Sequence, residues 1–311
     1  MHILKDRIPL GHTISGNPID IVSYTLTAGT KGKRVYIQSG MHGGEITYWL
    51  QHRLFNFLKE HLKSGEIVLV PFANPAAWEQ RSYFYTHGKF DLYDGKDFNY
   101  NFPGSEAGSL HQRIAFHLFN LAKGCDLALD LHTSRNSIPF GIYSKMDYAP
   151  FVRDLGLKYN FLDTEVNAAA SGFDSAMDPA GVDNICIECG SHDEYNAAKT
   201  DQVFAGILRL LERLGVIDGK FTKPAGESFF FTNHKKIIVQ ESGFVHYDVA
   251  LGAAFRKGDP LFTLHRTADL GSSIQEIAAE DGVAYKHTPT HIYRVGDETL
   301  HYVPLDELKR L

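Results

Sequence analysis

The stretch QSGMHGGEITYWL, residues 38–50, begins at the end of the apolar run RVYIQSG (34–40), turns on Gly43 and Gly44, and opens into a series in which Ile46, Leu50, Leu54, Leu58 and Leu62 recur every four residues. Apolar residues at that spacing line one stripe of a helix, while the preceding β-branched and aromatic run suits a strand. Strand, glycine turn and helix together form the half-unit of a parallel α/β sheet. The reading places His42 and Glu45 at the turn and the first helical residues, where an imidazole and a carboxylate three apart can converge on one ion.

The same alternation continues on both sides. The runs IVSYTLT (21–27), EIVLVPFA (66–73), DLALDLH (126–132), PFGIYS (139–144) and NICIECG (184–190) read as strands, several of them apolar on both faces. Helical spacing recurs at Leu110, Ile114, Leu118 and Leu121, and again at Val203, Ile207, Leu211 and Leu214, where Gly215 follows as a C-cap. Alternating strands and helices imply a mostly parallel or mixed central sheet flanked by helices. After Gly219 and Pro224 the text changes to short strands separated by Gly and Asp turns, so the expected division is an α/β domain over residues 1–222 and a small all-β C-terminal domain over 223–311. Phe229, Phe230 and Phe231 read as core strand. Residues 85–105 form a long Gly-, Asp- and Asn-rich connection, and a loop of that length in a compact domain is usually functional.

Composition narrows the function classes. With 311 residues, 43% of them hydrophobic, the chain has ample material for cores. A formal charge of -6 disfavours nucleic acid as partner, because a phosphate footprint needs clustered Lys and Arg. The opening MHILKDRIPLGHTISG lacks a signal-peptide pattern and no apolar stretch is long enough for a membrane span, so the expectation is a soluble cytoplasmic protein without a membrane partner. Cys125, Cys186 and Cys189 are read as reduced core thiols. Three cysteines against sixteen histidines point any metal site toward imidazole and carboxylate ligands.

Two further segments carry candidate chemistry. CDLALDLHTS ends an apolar strand with His132, at the carboxyl edge of the sheet where open α/β folds place their ligands. NICIECGSHDE ends another with Glu188, a carboxylate set among Ile185, Cys186 and Ile187 and costly to bury without a purpose or partner. His42, Glu45 and His132 together supply three N/O ligands with one position left for water, the pattern of a catalytic zinc. A zinc-bound water falls in pKa to about 7, and a carboxylate such as Glu188 can take its proton as it attacks a carbonyl. The aromatic residues Tyr83, Phe84, Tyr85 and Tyr93 are either a packed loop or the lining of an apolar pocket.

In order along the chain, SGMHGGE, NPAAW, DFNYNFPG, GSLHQRIAFHLF, DLHTS and IECG resemble the succinylglutamate desuccinylase and aspartoacylase family, relatives of the zinc carboxypeptidases. The β-rich tail is similar to the barrel-like C-terminal domain many members carry. The resemblance implies that His42, Glu45 and His132 bind one zinc per chain and that Glu188 is the general base and acid. It also implies that Asp97 orients a ligand histidine, with Asp130 serving similarly from the strand face it shares with His132, and that Asn99 contacts substrate. Two departures bear on substrate. Where the family has an Arg that grips a substrate carboxylate, this chain has Tyr100, a phenol in place of a bidentate fork. The family's oxyanion-stabilising Arg falls where Tyr83 stands, two positions beyond Arg81, which is the candidate to replace it. Arg135, three after His132, is a further cation able to receive a carboxylate.

The resulting expectation is a zinc-dependent hydrolase that deacylates an N-acyl amino acid or related small amide by Glu-assisted attack of zinc-bound water. A metallocarboxypeptidase acting on short peptides uses the same metal and Glu and is the alternative; a non-catalytic zinc-binding scaffold is the second. The partner is a small molecule, and a homo-oligomer is left open.

Overall fold

The computed structural model describes residues 1–82, 86–164, 172–222, 224, 226–288 and 290–311. The strands of the main sheet are β1 (His2–His12), β2 (Pro18–Thr27), β3 (Arg34–Ser39), β4 (Glu66–Val70), β5 (Leu127–His132), β7 (Phe140–Tyr143), β8 (Tyr159–Leu162), β9 (Asp183–Glu188) and β10 (Phe229–Phe231), while the short β6 (Asn136–Ser137) lies outside it. The order across this sheet is β1-β2-β4-β3-β5-β9-β7-β8-β10, and the last strand of the chain, β19 (Lys309–Arg310), closes the far edge. The central block β4-β3-β5-β9 is parallel, and antiparallel pairs flank it at β2-β4 and β7-β9. A mixed α/β sheet covered by helices is therefore what the alternation in the sequence predicted.

Its core divides by side-chain parity, as a pleated strand covered on both faces requires. Val35 and Ile37, Ile67 and Leu69, and Leu127, Leu129 and Leu131 face one cluster with Leu50, Leu54 and Leu58 of helix α1 (Tyr48–His61). Tyr36, Val68, Val70 and Ala128 face the other, with Ile114, Ala115 and Leu118 of a second long helix (Leu110–Ala122). That helix starts on a capping box between Ser109 and Gln112, which explains the Gly-Ser before it.

Three elements depart from the sequence reading. Strand β1 pairs along its length with β2 but is almost wholly exposed, so it carries no apolar pattern from which to read it. Helix α1 starts at Tyr48, so His42 and Glu45 both lie in the turn before it and not on its first residues. The cause is the glycine pair. Gly44 has φ +82, and a Cβ there would stand 2.6 Å from His192 Nε2. Third, the tail is not separate in its hydrogen bonding: β10 pairs parallel with β8, and β19 pairs with β10. The edge that β8 would otherwise expose is thereby covered by a later strand.

The remaining strands form two small antiparallel sheets: β11 (Lys235–Ile238), β12 (Gly243–Tyr247), β13 (Ala254–Phe255), β14 (Pro260–Arg266), β15 (Ser273–Ile277), β16 (Gly282–His287), β17 (Ile292–Tyr293) and β18 (Glu298–Pro304). The exchange is mutual, because β6, just past His132, pairs with β16. A shared apolar patch seals the junction, with Phe140, Tyr159 and Phe231 on Val283, Tyr285 and Val303. Among the described residues no helix is long and apolar enough to cross a membrane, and all three cysteines are free.

Candidate metal centre and active site

Strands β3, β5 and β9 lie side by side, and each delivers one chemical group at its carboxyl end. His42 follows β3, while His132 and Glu188 are the last residues of β5 and β9 and face each other in register. The HGGE turn brings Glu45 back over the edge. Its compactness depends on Gly43 as well, since a Cβ there would stand 2.4 Å from the Ala77 carbonyl oxygen. Ala77 is held in turn by the NPAAW turn, where Asn74 caps the short helix by accepting from Ala77 N.

His42, Glu45 and His132 are all buried, and one ligand atom from each lies within 4.8 Å of the others. His42 Nδ1 is 2.9 Å from Glu45 Oε1, and His132 Nδ1 is 3.2 Å from Glu45 Oε2. Ligand atoms held about 2.0–2.2 Å from one tetrahedral ion lie roughly 3.3–3.6 Å apart, so the pocket needs to relax by only a few tenths of an ångström to take one. The donor set of two nitrogens and a carboxylate suits a divalent ion, and among the described residues Glu45 Oε2 has no hydrogen bond of its own. The outer nitrogens each face a carboxylate. His42 Nε2 meets Asp97 Oδ1 at 3.0 Å, and His132 Nε2 meets Asp130 Oδ2 at 2.9 Å. Both Nδ1 atoms are thus aimed inward, each by a carboxylate behind its ring.

The charges in the cluster follow from this packing. Burial pushes the Glu45 carboxyl up, but His132 and His42 outweigh it and hold the group far below the usual range. Asp97 is likewise opposed by burial and brought down to about 2 by the His42 hydrogen bond and by Lys89, whose Nζ is 3.1 Å from Asp97 Oδ2. Glu188 goes the other way: desolvation dominates and raises it, against the opposing pull of His132, Lys286 and Lys89. Its Oε2 is buried and, among the described residues, has no hydrogen-bond partner. A carboxylate left bare beside a ligand cluster is costly to a fold that has no use for it.

The other sequence candidates fall around this centre. Asn99 is half-buried with its side-chain oxygen unpartnered among the described residues, while its backbone N–H donates to Asp97 Oδ1. Tyr100 is 60% exposed, at the rim of the same loop. Arg81 is exposed, its backbone bridged to Thr86; Tyr83, Phe84 and Tyr85 lie outside the described residues. Tyr93 is 98% exposed, which does not make a pocket wall. Arg135 is engaged elsewhere: its guanidinium meets Glu298 Oε2 at 3.1 Å and donates to Thr288 Oγ1. Residues the sequence reading passed over are Lys89, which sits in the long loop it flagged, and Lys286 on β16 of the β-rich tail, whose charge acts on Glu188. No local signal marks the latter.

Residues 31–214, more than half of the chain, match the succinylglutamate desuccinylase/aspartoacylase catalytic domain, and the chain belongs to that family. It is an amidohydrolase of the deacylase type by that membership. Among curated proteins it is 24% identical over 294 residues to N-alpha-acetyl-L-2,4-diaminobutyric acid deacetylase of Halomonas elongata, covering 89% of this chain and 84% of that one. Among solved structures it is similar to a protein assigned to the same family from Shewanella frigidimarina, with TM-score 0.90 and 20% identity over 99% of this chain and 98% of that one. The product-bound ectoine utilization protein of Ruegeria pomeroyi has TM-score 0.82 and 18% identity, over 96% and 94%.

Proposed function

We propose that the protein is a zinc-dependent amidohydrolase that removes the acyl group from an N-acyl amino acid or a closely related small amide. The observation that carries this reading is the half-buried Glu188, with one carboxylate oxygen unpartnered, on the strand next to His132. His42, Glu45 and His132 would hold one zinc, which when bound supplies Lewis acidity at the scissile carbonyl.

The remaining work belongs to the protein's own groups. Glu188 takes a proton from the attacking water and passes it to the leaving amine, a role suited to a carboxylate whose pKa is raised toward the working pH. Asp97 and Asp130 keep both imidazoles in the tautomer that presents Nδ1. Asn99 offers its amide oxygen to substrate, and Arg81 is the candidate to stabilise an oxyanion. The deacetylase from Halomonas elongata supports an N-acyl amino acid as substrate class.

The test is a panel of N-acyl amino acids and short peptides, presented to zinc-loaded protein, with released amine as readout and metal content measured in parallel. Turnover of acyl amino acids at about one zinc per chain is the expected result. Cleavage of peptides alone would replace this reading with a carboxypeptidase, and failure of the whole panel with zinc bound would remove it.

A further inference from the structure

Beyond their last residues the three central strands stay laced together, and the lacing is uneven. The chain leaving β9 runs beside the chain leaving β5. Cys189 N–H donates to the His132 carbonyl at 2.7 Å, Ser134 N–H and Ser137 Oγ both donate to the Gly190 carbonyl at 3.0 and 3.1 Å, and His192 N–H donates to the Arg135 carbonyl at 2.7 Å. His192 Nδ1 also lies 3.2 Å from Thr133 Oγ1. The turn after β9 is therefore fastened to the strand end that carries His132. Among the described residues its tie to the third strand end is a single hydrogen bond, from Asp193 N–H to the Gly44 carbonyl at 2.9 Å.

Two features make that bond decisive. Asp193 is, among the described residues, the one non-glycine residue with a positive φ, at +54. An Asp visits the left-handed region because its short side chain can bond locally, whereas a β-branched residue is a genuine outlier there. Such a conformation persists where the contacts around it hold it, and here the bonds to the β5 segment hold the chain up to His192. The second feature is the acceptor. The Gly44 carbonyl belongs to the peptide whose N–H is that of Glu45, and a peptide unit is planar, so holding the Gly44 oxygen holds the plane from which the Glu45 side chain departs. Gly44, at φ +82 and without a Cβ, supplies no such restraint by itself. Packing is close as well, since a Cβ on Gly44 would stand 2.6 Å from His192 Nε2 and 2.7 Å from Asp193 Oδ1. On its other flank the HGGE turn is tied to the long loop by Gly43 N–H, which donates to the Gly88 carbonyl at 3.1 Å.

We propose that Asp193 is a positioning residue for the ligand Glu45: its left-handed backbone delivers the N–H that orients the Gly44–Glu45 peptide, so that the strand bearing Glu188 also sets the metal-binding turn. This rests on the reading of His42, Glu45 and His132 as a zinc site and deepens it. The backbone conformation carries the role, so a residue at ease in the left-handed region can fill it and a β-branched one cannot.

The experiment titrates zinc into the full chain against a competing chelator, for the wild type and for variants, with the melting temperature of each metal-free protein measured alongside. Asp193→Gly and Asp193→Asn keep the left-handed conformation and are expected to hold zinc affinity within about twofold of the wild type. Asp193→Val is expected to lose roughly 10- to 100-fold, the usual effect of removing a group that orients a metal ligand. Gly215→Val separates positioning from general stability. Gly215 has φ +72 with open space for a Cβ, and its carbonyl accepts from Ser64 Oγ at 2.7 Å, close to the start of β4 and so at the opposite edge of the sheet. That variant is expected to melt lower with its zinc affinity unchanged. Wild-type affinity in Asp193→Val overturns the proposal. Equal loss in Asp193→Val and Gly215→Val overturns it in favour of general stability, and a loss in Asp193→Gly as large as in Asp193→Val overturns it in favour of the carboxylate. Should Asp193→Val not fold, the milder Asp193→Ala decides by the same criteria, with an expected loss of about fivefold. A wild type that binds no zinc overturns the metal reading and the proposal together, whereas a zinc-binding wild type with indistinguishable variants overturns the proposal alone.

Discussion

The candidate metal centre and the junction beside it are two charged clusters built on opposite plans. At His42, Glu45 and His132 every donor comes from the end of a central parallel strand or the turn after it, and each imidazole is backed by its own carboxylate. At the junction the charges come from elements far apart in sequence, Arg135 on one side and Lys236, Lys286 and Glu298 on the other, and one carboxylate serves two cations. The first cluster is complementary within itself except for room for an ion. The second carries surplus positive charge. The difference teaches where change is tolerated: a cluster whose members brace one another tolerates little, whereas a junction in which two cations share one carboxylate can be retuned by altering one residue of the tail.

The largest expected effect falls on proton transfer. Glu188→Gln should retain zinc, measured by metal content, yet lose activity by about 10²- to 10⁴-fold, because the ligands are untouched and the proton carrier is gone. Substantial residual turnover would refute the role given to Glu188. Next comes the brace behind the metal. Asp97→Asn keeps a hydrogen-bond acceptor for His42 Nε2 but removes its charge, and zinc affinity in a competitive chelator titration should fall about 10- to 100-fold. An unchanged affinity would mean that the loop carrying Asp97 is a bystander.

The smallest effect tests the junction. Glu298 holds Arg135 and Lys236, and those cations keep its carboxyl below the usual range. Both partners are more than one-third exposed, so solvent screening limits the loss in Glu298→Gln to roughly 1 kcal/mol. The sign in pH follows from the depressed carboxyl. Its stabilisation is present above the unfolded pKa, about 4.3, and is lost as pH falls through the folded value. The variant should therefore show a flatter acid limb of thermal stability than the wild type, while its zinc content stays the same. A parallel offset at all pH values would assign the loss to packing.

Much of the centre is legible before any coordinates. HGGE, DLH and IECG each end a run that is unmistakably a buried strand, and groups at the carboxyl ends of neighbouring parallel strands share one edge. Asp130 follows from the period of two along a strand, since residues two apart share a face. The glycine pair is legible as a turn, but its consequence is not: whether Glu45 sits on the helix or before it depends on the contact of Gly44 with His192, a residue about 150 positions away. Strand β1 escapes for the opposite reason, because both its faces are exposed and no hydrophobic alternation records it.

By itself, then, the sequence determined the mixed α/β sheet and which strand ends carry His and Glu side chains, because these are written in local periodicity and short spacing, and the ordered motifs carried the resemblance to the family. Only the tertiary structure decided that the tail's strands enter the main sheet, that Arg135 is tied to Glu298, and that a bulge in β16 sets Lys286 opposite His301. Those outcomes depend on which strand edges are left unpaired and which charges find a partner across long separations. No window of the sequence contains both members of such a pair.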